Sequence, residues 1–268
     1  MYPKRNRKYF LENRGGNLHL AMKGKLPTFA LFLWTAFGGG ITYLMQWNPK
    51  YSKFQSSGNA SYYLDKEAQQ KNLRLILRTC LLLRSLEVRD GYSHFLPELE
   101  RLSRLNHIWI QGELVGAYNL KRLQRLETLG STSPSIQNVR GLENLKHLKF
   151  VYVKNVKLSW FLKLPQSVER IYTSGQLPTG VPLGKLPHLD TLGINGCRKF
   201  DLAILMPSVS LIELHLTNIS VLEGTPNLLG KYPNLQRVRT AGLREADYRL
   251  LQKTNSGIEF SHEFDFRS

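Results

Sequence analysis

From residue 83 onward, apolar positions recur along the chain at a nearly constant interval. Leu83, Leu105, Leu126, Leu148, Val168, Leu189, Leu211 and Leu235 stand 22, 21, 22, 20, 21, 22 and 24 residues apart. Three positions after each comes another apolar residue: Leu86, Ile108, Leu129, Val151, Ile171, Leu192, Leu214 and Val238. A third column, five after the anchor, is apolar at Val88, Ile110, Val153, Ile194 and Leu216 and polar at Ser131, Thr173 and Thr240. Alternation over positions three to five is a strand period, so these columns face a core while positions two, four and six face outward. A unit of about 21 residues cannot bury its apolar edge alone; stacking does so, with strands about 4.8 Å apart in a parallel sheet. The intervening segments, such as 96–102, 117–123 and 202–209, predict short helical or extended passes on the convex side.

The spacing L-x-x-L-x-L resembles the leucine-rich repeat family, as in Leu211-Ile212-Glu213-Leu214-His215-Leu216 and Leu189-Asp190-Thr191-Leu192-Gly193-Ile194. The resemblance covers residues 83–243 and implies an α/β solenoid, a parallel sheet of about eight strands with short helical or extended convex segments. One feature departs from the family. Eight residues after the anchor, where it has Asn or Cys, this chain has Gly91, Glu113, Pro134, Val156, Gln176, Cys197, Ile219 and Leu243. Only Cys197 conforms, so the side-chain ladder inside the turn is expected to be largely missing and the solenoid irregular.

The ends of the chain read differently. Leu26 to Pro49 is a run of 24 uncharged residues between Lys25 and Lys50, and residues 1–25 carry a net charge of +6. As a helix the run reaches about 36 Å, against about 30 Å of hydrocarbon. The expected organisation is a basic cytoplasmic tail (1–25), a transmembrane helix or signal segment (26–47), a tether (48–64), a capping helix (65–82), the solenoid (83–243) and a C-terminal cap (244–268). The basic flank keeps the N-terminus inside and places the repeats outside the cytoplasm, in a bacterial envelope. Cleavage after a start at Met22, with Ala36-Phe37-Gly38 as the small-x-small site, is the alternative to a retained anchor, and a buried soluble helix is a third reading. The mitochondrial inner membrane is the alternative address, since Glu12 is the only acidic residue among the first 25.

Composition narrows the function. With 37 Lys and Arg against 20 Asp and Glu the net charge is +17, and 42% of residues are hydrophobic, enough for a substantial core. The 2 Cys residues are too few for a disulfide-stapled fold or a multi-Cys zinc module. No H-x-x-x-H, C-x-x-C, Walker or nucleophile-elbow pattern occurs, so neither an enzyme nor a cofactor is expected. The basic residues of the repeats are spread over all of them and many fall on convex turns, which argues against nucleic acid. The outward columns point instead to a protein partner bound on the concave face. Trp109, Phe150, Tyr152, Arg170, Tyr172, His215, Arg237 and Arg239 stand there, and aromatic residues and arginine are enriched at interface hot spots. The opposing reading is that aromatic residues simply suit strands. A basic envelope protein that binds anionic lipid or acidic polymer surfaces is the alternative function, and a mitochondrial assembly factor is a further one.

Overall fold

The chain divides into two compact units, residues 1–141 and 142–268. The computed structural model describes residues 9–14, 17–22, 40–46, 78, 84–89, 93–94, 97–224 and 226–263. In the first unit, β1 (Tyr9–Arg14) pairs antiparallel with β2 (Asn17–Met22), and β3 (Gly40–Gln46) runs parallel to both β2 and β4 (Ser85–Arg89). The short β5 (Ser93–His94) pairs with β7 (Glu113–Leu114), while β6 (His107–Ile110) lies between β4 and β8 (Thr128–Ser131), all parallel.

The second unit holds β9 (Phe150–Lys154), β10 (Arg170–Ser174), β11 (Thr191–Asn195), β12 (Lys199–Asp201), β13 (Glu213–Thr217), β14 (Val221–Glu223), β15 (Arg237–Ala241) and β16 (Glu259–Glu263). Its sheet runs β9, β10, β11, β13, β15, β16 with every neighbour parallel, and β12 pairs separately with β14. Register follows the repeat: Val151, Ile171, Leu192, Leu214 and Val238 are successive Cα partners, each fully buried. This is the leucine-rich-repeat-like arrangement of parallel strands and short connections. The polar members of the third column follow the same rule, for Ser131, Thr173 and Thr240 are buried as well. Backbone register, rather than side-chain polarity, decides where they point.

Between strands the chain returns through 3-10 turns. In the first unit these span Pro97–Arg101, Leu120–Arg122 and Pro134–Asn138; in the second, Leu142–Asn144, Leu183–Lys185, Leu202–Ile204 and Pro226–Lys231, with one α-helical turn, α1 (Leu158–Phe161). A 3-10 helix has three residues per turn, so positions i and i+3 share a face. The sequence matches that spacing upstream of the anchors. Leu120, Leu123 and Leu126 are buried together, as are Leu142, Leu145 and Leu148, and Leu183, Leu186 and Leu189. The Leu123 N–H donates to Leu120 O at 2.8 Å and the Leu126 N–H to Leu123 O at 2.9 Å, so one ladder delivers the chain to the strand.

The strands of the second unit end alike. Seven residues after the anchor stand Asn155, Gly175, Gly196, Asn218 and Gly242, all at positive φ (49°, 85°, 75°, 53° and 75°). Glycine and asparagine reach this left-handed region at least cost, and the turn needs it to leave the sheet. One position later, Val156, Cys197, Ile219 and Leu243 are buried. Apolar burial thus fills the place of the missing side-chain ladder. Beyond the last repeat, α2 (Glu245–Thr254) leads into β16, which pairs along β15.

One expectation is corrected. A helix across 26–47 does not hold for its last part, because Gly40–Gln46 is strand β3. Ile41, Thr42 and Tyr43, β-branched and aromatic, follow the triplet Gly38-Gly39-Gly40, a composition that favours a strand over a helix. Residues 26–39 and the tether at 48–64 lie outside the described residues. So does the helix expected over 65–82, apart from Arg78, which is helical and places its Nε 2.8 Å from Glu98 Oε1. Among the described residues no helix is long and apolar enough to cross a membrane.

Candidate functional site

Positions two and four after each anchor project from the outward face of the second unit's sheet. Phe150 and Tyr152 on β9 are the Cα partners of Arg170 and Tyr172 on β10. These in turn face Thr191 and Gly193 on β11, then Glu213 and His215 on β13, then Arg237 and Arg239 on β15. The alternation that buries Ile171 and Thr173 therefore lines up aromatic and charged side chains on the other side.

Gly193 organises this row. A Cβ built there would fall inside the van der Waals envelope of the Tyr172 ring, which lies across the glycine backbone and buries it. Tyr172 and His215 sit two strands apart, about 10 Å along the sheet. With no side chain between them, their rings meet edge to face at 5.5 Å. On its other side Tyr172 stacks with Phe150 at 5.6 Å, and the Arg170 guanidinium lies 5.9 Å from the Phe150 ring centroid. The Tyr152 hydroxyl donates to Ser174 Oγ at 3.3 Å. Burial pushes the Tyr172 hydroxyl above its ordinary value, with Glu213 acting in the same direction against Arg170 and Arg239, so the phenol stays neutral.

The row ends in a charged knot. Glu213 Oε1 lies 2.8 Å from Arg239 Nε, 3.2 Å from His215 Nε2 and 3.5 Å from Arg237 Nε. Burial acts to raise the Glu213 carboxyl, but the close approach of His215 and the charges of Arg239 and Arg237 outweigh it and hold the group below its ordinary value. Its side chain is 13% exposed, whereas those of Arg237 and Arg239 are 46% and 57% exposed. The carboxylate is thus an internal anchor that fixes two arginines while leaving much of each open to solvent.

Of the eight residues expected on this face, Phe150, Arg170, Tyr172, His215, Arg237 and Arg239 join one contiguous set, with Tyr152 beside it in register. Trp109 belongs to the first unit, where its ring covers Gly130 as Tyr172 covers Gly193. Glu213 is a member of this set that the sequence columns alone did not single out. Its signal is the neighbouring column: an acid two after one anchor, opposite an arginine two after the next, beside His215 and Arg239. Cys197 is a buried free thiol, and Cys80 lies outside the described residues. Among the described residues no group of three His, Cys, Asp or Glu side chains could hold a metal ion.

No protein-family model and no curated protein matches the chain. Solved structures do match. An internalin of Listeria monocytogenes, InlF, aligns over 72% of this chain and 78% of its own length, with 12% identity and a TM-score of 0.39. Internalin C2 of the same organism aligns over 70% and 74%, with 17% identity and a TM-score of 0.39. A leucine-rich-repeat protein of Leptospira interrogans gives 17% identity and a TM-score of 0.44 over 71% of this chain; the alignment spans 50% of that protein. No residue role passes from these proteins to this chain, whose architecture stands on its own repeat register.

Proposed function

We propose that the second unit binds a protein partner through the outward face of its sheet. The observation that carries this reading is the unbroken row Arg170, Phe150, Tyr172, His215, Glu213, Arg239, in which aromatic rings and arginines are held in place before any partner arrives. Pre-organised aromatic and arginine side chains lose little freedom on binding and dominate interface energetics. The arginines suit a segment bearing carboxylates, and the rings suit its apolar side chains. A photo-crosslinking residue at position 152 is expected to capture a discrete partner that the same residue at exposed Leu162 does not. With that partner purified, Phe150→Ala combined with Arg239→Ala should weaken binding by about tenfold or more with the fold unchanged. Unchanged affinity would refute the assignment.

The uncharged run at 26–49 behind its basic flank supports a second reading, attachment to a membrane with the repeats on the extracytoplasmic side. Pairing of Gly40–Gln46 with β4 leaves 26–39 for that purpose, about 21 Å as a helix against about 30 Å of hydrocarbon. Resistance of the cellular protein to alkaline carbonate extraction would favour a spanning segment; full release would favour the sheet.

A further inference from the structure

A second concave feature lies on the second unit, away from the sheet face, where the turns after β9, β10 and β11 run side by side. They enclose an open groove of about 980 Å³. Its construction follows from the repeat. At the left-handed position Gly175 and Gly196 carry no side chain, and a Cβ at Gly196 would meet nothing within 4 Å. The next positions supply a buried floor of Val156, Cys197 and Leu177. Burial pushes the Cys197 thiol above its ordinary value, so that floor is uncharged.

The rim is of one sign. Lys157, Arg198 and Lys199 line the groove, and among the described residues no acidic side chain does. Lys157 and Arg198 occupy the same position two repeats apart, about 10 Å by strand spacing, with Leu177 at that position between them. Lys199 is paired with Glu223 at 2.9 Å, outside the groove. Among the described residues the Arg198 guanidinium makes no ion pair. An apolar floor between cations, with a volume at the upper end of small-ligand sites of about 300–1,000 Å³, complements one kind of molecule.

We infer that this groove binds a single-tailed amphiphile with an anionic head such as a phosphate monoester, the head on Lys157 and Arg198 and the tail over Val156, Leu177 and Cys197. This site is separate from the proposed protein-binding face and does not depend on it.

Dodecyl phosphate, inorganic phosphate and dodecyltrimethylammonium, each below its micellar concentration, test the inference on the full chain by titration calorimetry. Dodecyl phosphate should bind about tenfold or more tighter than inorganic phosphate, and the cationic amphiphile should not bind. Charge reversal by Lys157→Glu with Arg198→Glu should weaken dodecyl phosphate by about tenfold or more with the circular dichroism unchanged. Equal binding of the cationic amphiphile, equal binding of inorganic phosphate, or a folded double variant of full affinity would each overturn the assignment.

Discussion

Thr173 and Glu213 show what one side chain can cost or contribute in this fold. Thr173 stands in an inward column between Val153 and Ile194, its hydroxyl fully buried and, among the described residues, without a hydrogen-bond partner. Such a group keeps its desolvation penalty with nothing to offset it. Thr173→Val exchanges the hydroxyl for a methyl of similar shape and is expected to stabilise the protein by about 1 kcal/mol, a Tm rise of about 2–4 °C by calorimetry. Glu213 is the opposite case. Its carboxyl is depressed in the folded state, so its contribution to stability is present above the unfolded value of about 4.3 and is lost as pH falls through the lower folded value. Glu213→Gln removes that contribution at every pH. The stability gap between wild type and variant, read from urea unfolding, should therefore persist down to about pH 5 and shrink as the pH falls further below the unfolded value. A gap independent of pH would show that Arg237 and Arg239 do not hold the carboxylate.

Neighbouring strands are coupled through the glycines of the outward face. Tyr172 lies over Gly193, and the space Gly193 leaves is what lets His215 reach Tyr172. Gly193→Ala should displace the ring, break both aromatic contacts and cost about 1–3 kcal/mol. In a Tyr172→Ala background the same change has nothing to displace and should cost little, so the double-mutant cycle should be strongly non-additive. Additivity would mean that the ring does not rest on the glycine.

Much of this element-level arrangement was legible in the sequence. The anchor and strand columns place eight strands at the positions where they occur, because inward residues in a parallel stack must be apolar at a fixed register. The left-handed column was equally visible as Asn155, Gly175, Gly196, Asn218 and Gly242, yet it shows only when repeats are aligned seven residues past the anchor. Strands β1 to β3 carried no such column. Residues 40–46 share their apolar character with a membrane span, and uncharged composition alone cannot separate a buried strand from a spanning helix. The site was legible in part: columns name the residues on a face, but which of them touch depends on where a glycine opens space between strands.

Across the whole chain, charge and candidate function are distributed unequally. Residues 1–141 carry +12 of the net +17, with +6 in the first 25, while the row proposed to bind protein lies in the remaining +5. Exposed basic residues near an anionic bilayer contribute about 1 kcal/mol each, and salt screens them over about 10 Å at 0.1 M. Retention on vesicles containing anionic lipid should therefore follow the N-terminal cations. Replacing Lys4, Arg5, Arg7 and Lys8 by Ser is expected to reduce co-sedimentation by more than about tenfold at low salt. Replacing Arg170, Arg237 and Arg239 by Ala should leave it nearly unchanged, because Glu213 already balances part of that charge and the three residues serve a different surface. Both differences should shrink at high salt. If the second set of replacements were the more damaging, the basic excess and the aromatic face would be serving one anionic ligand, and the division of labour between the two parts of the chain would have to be abandoned.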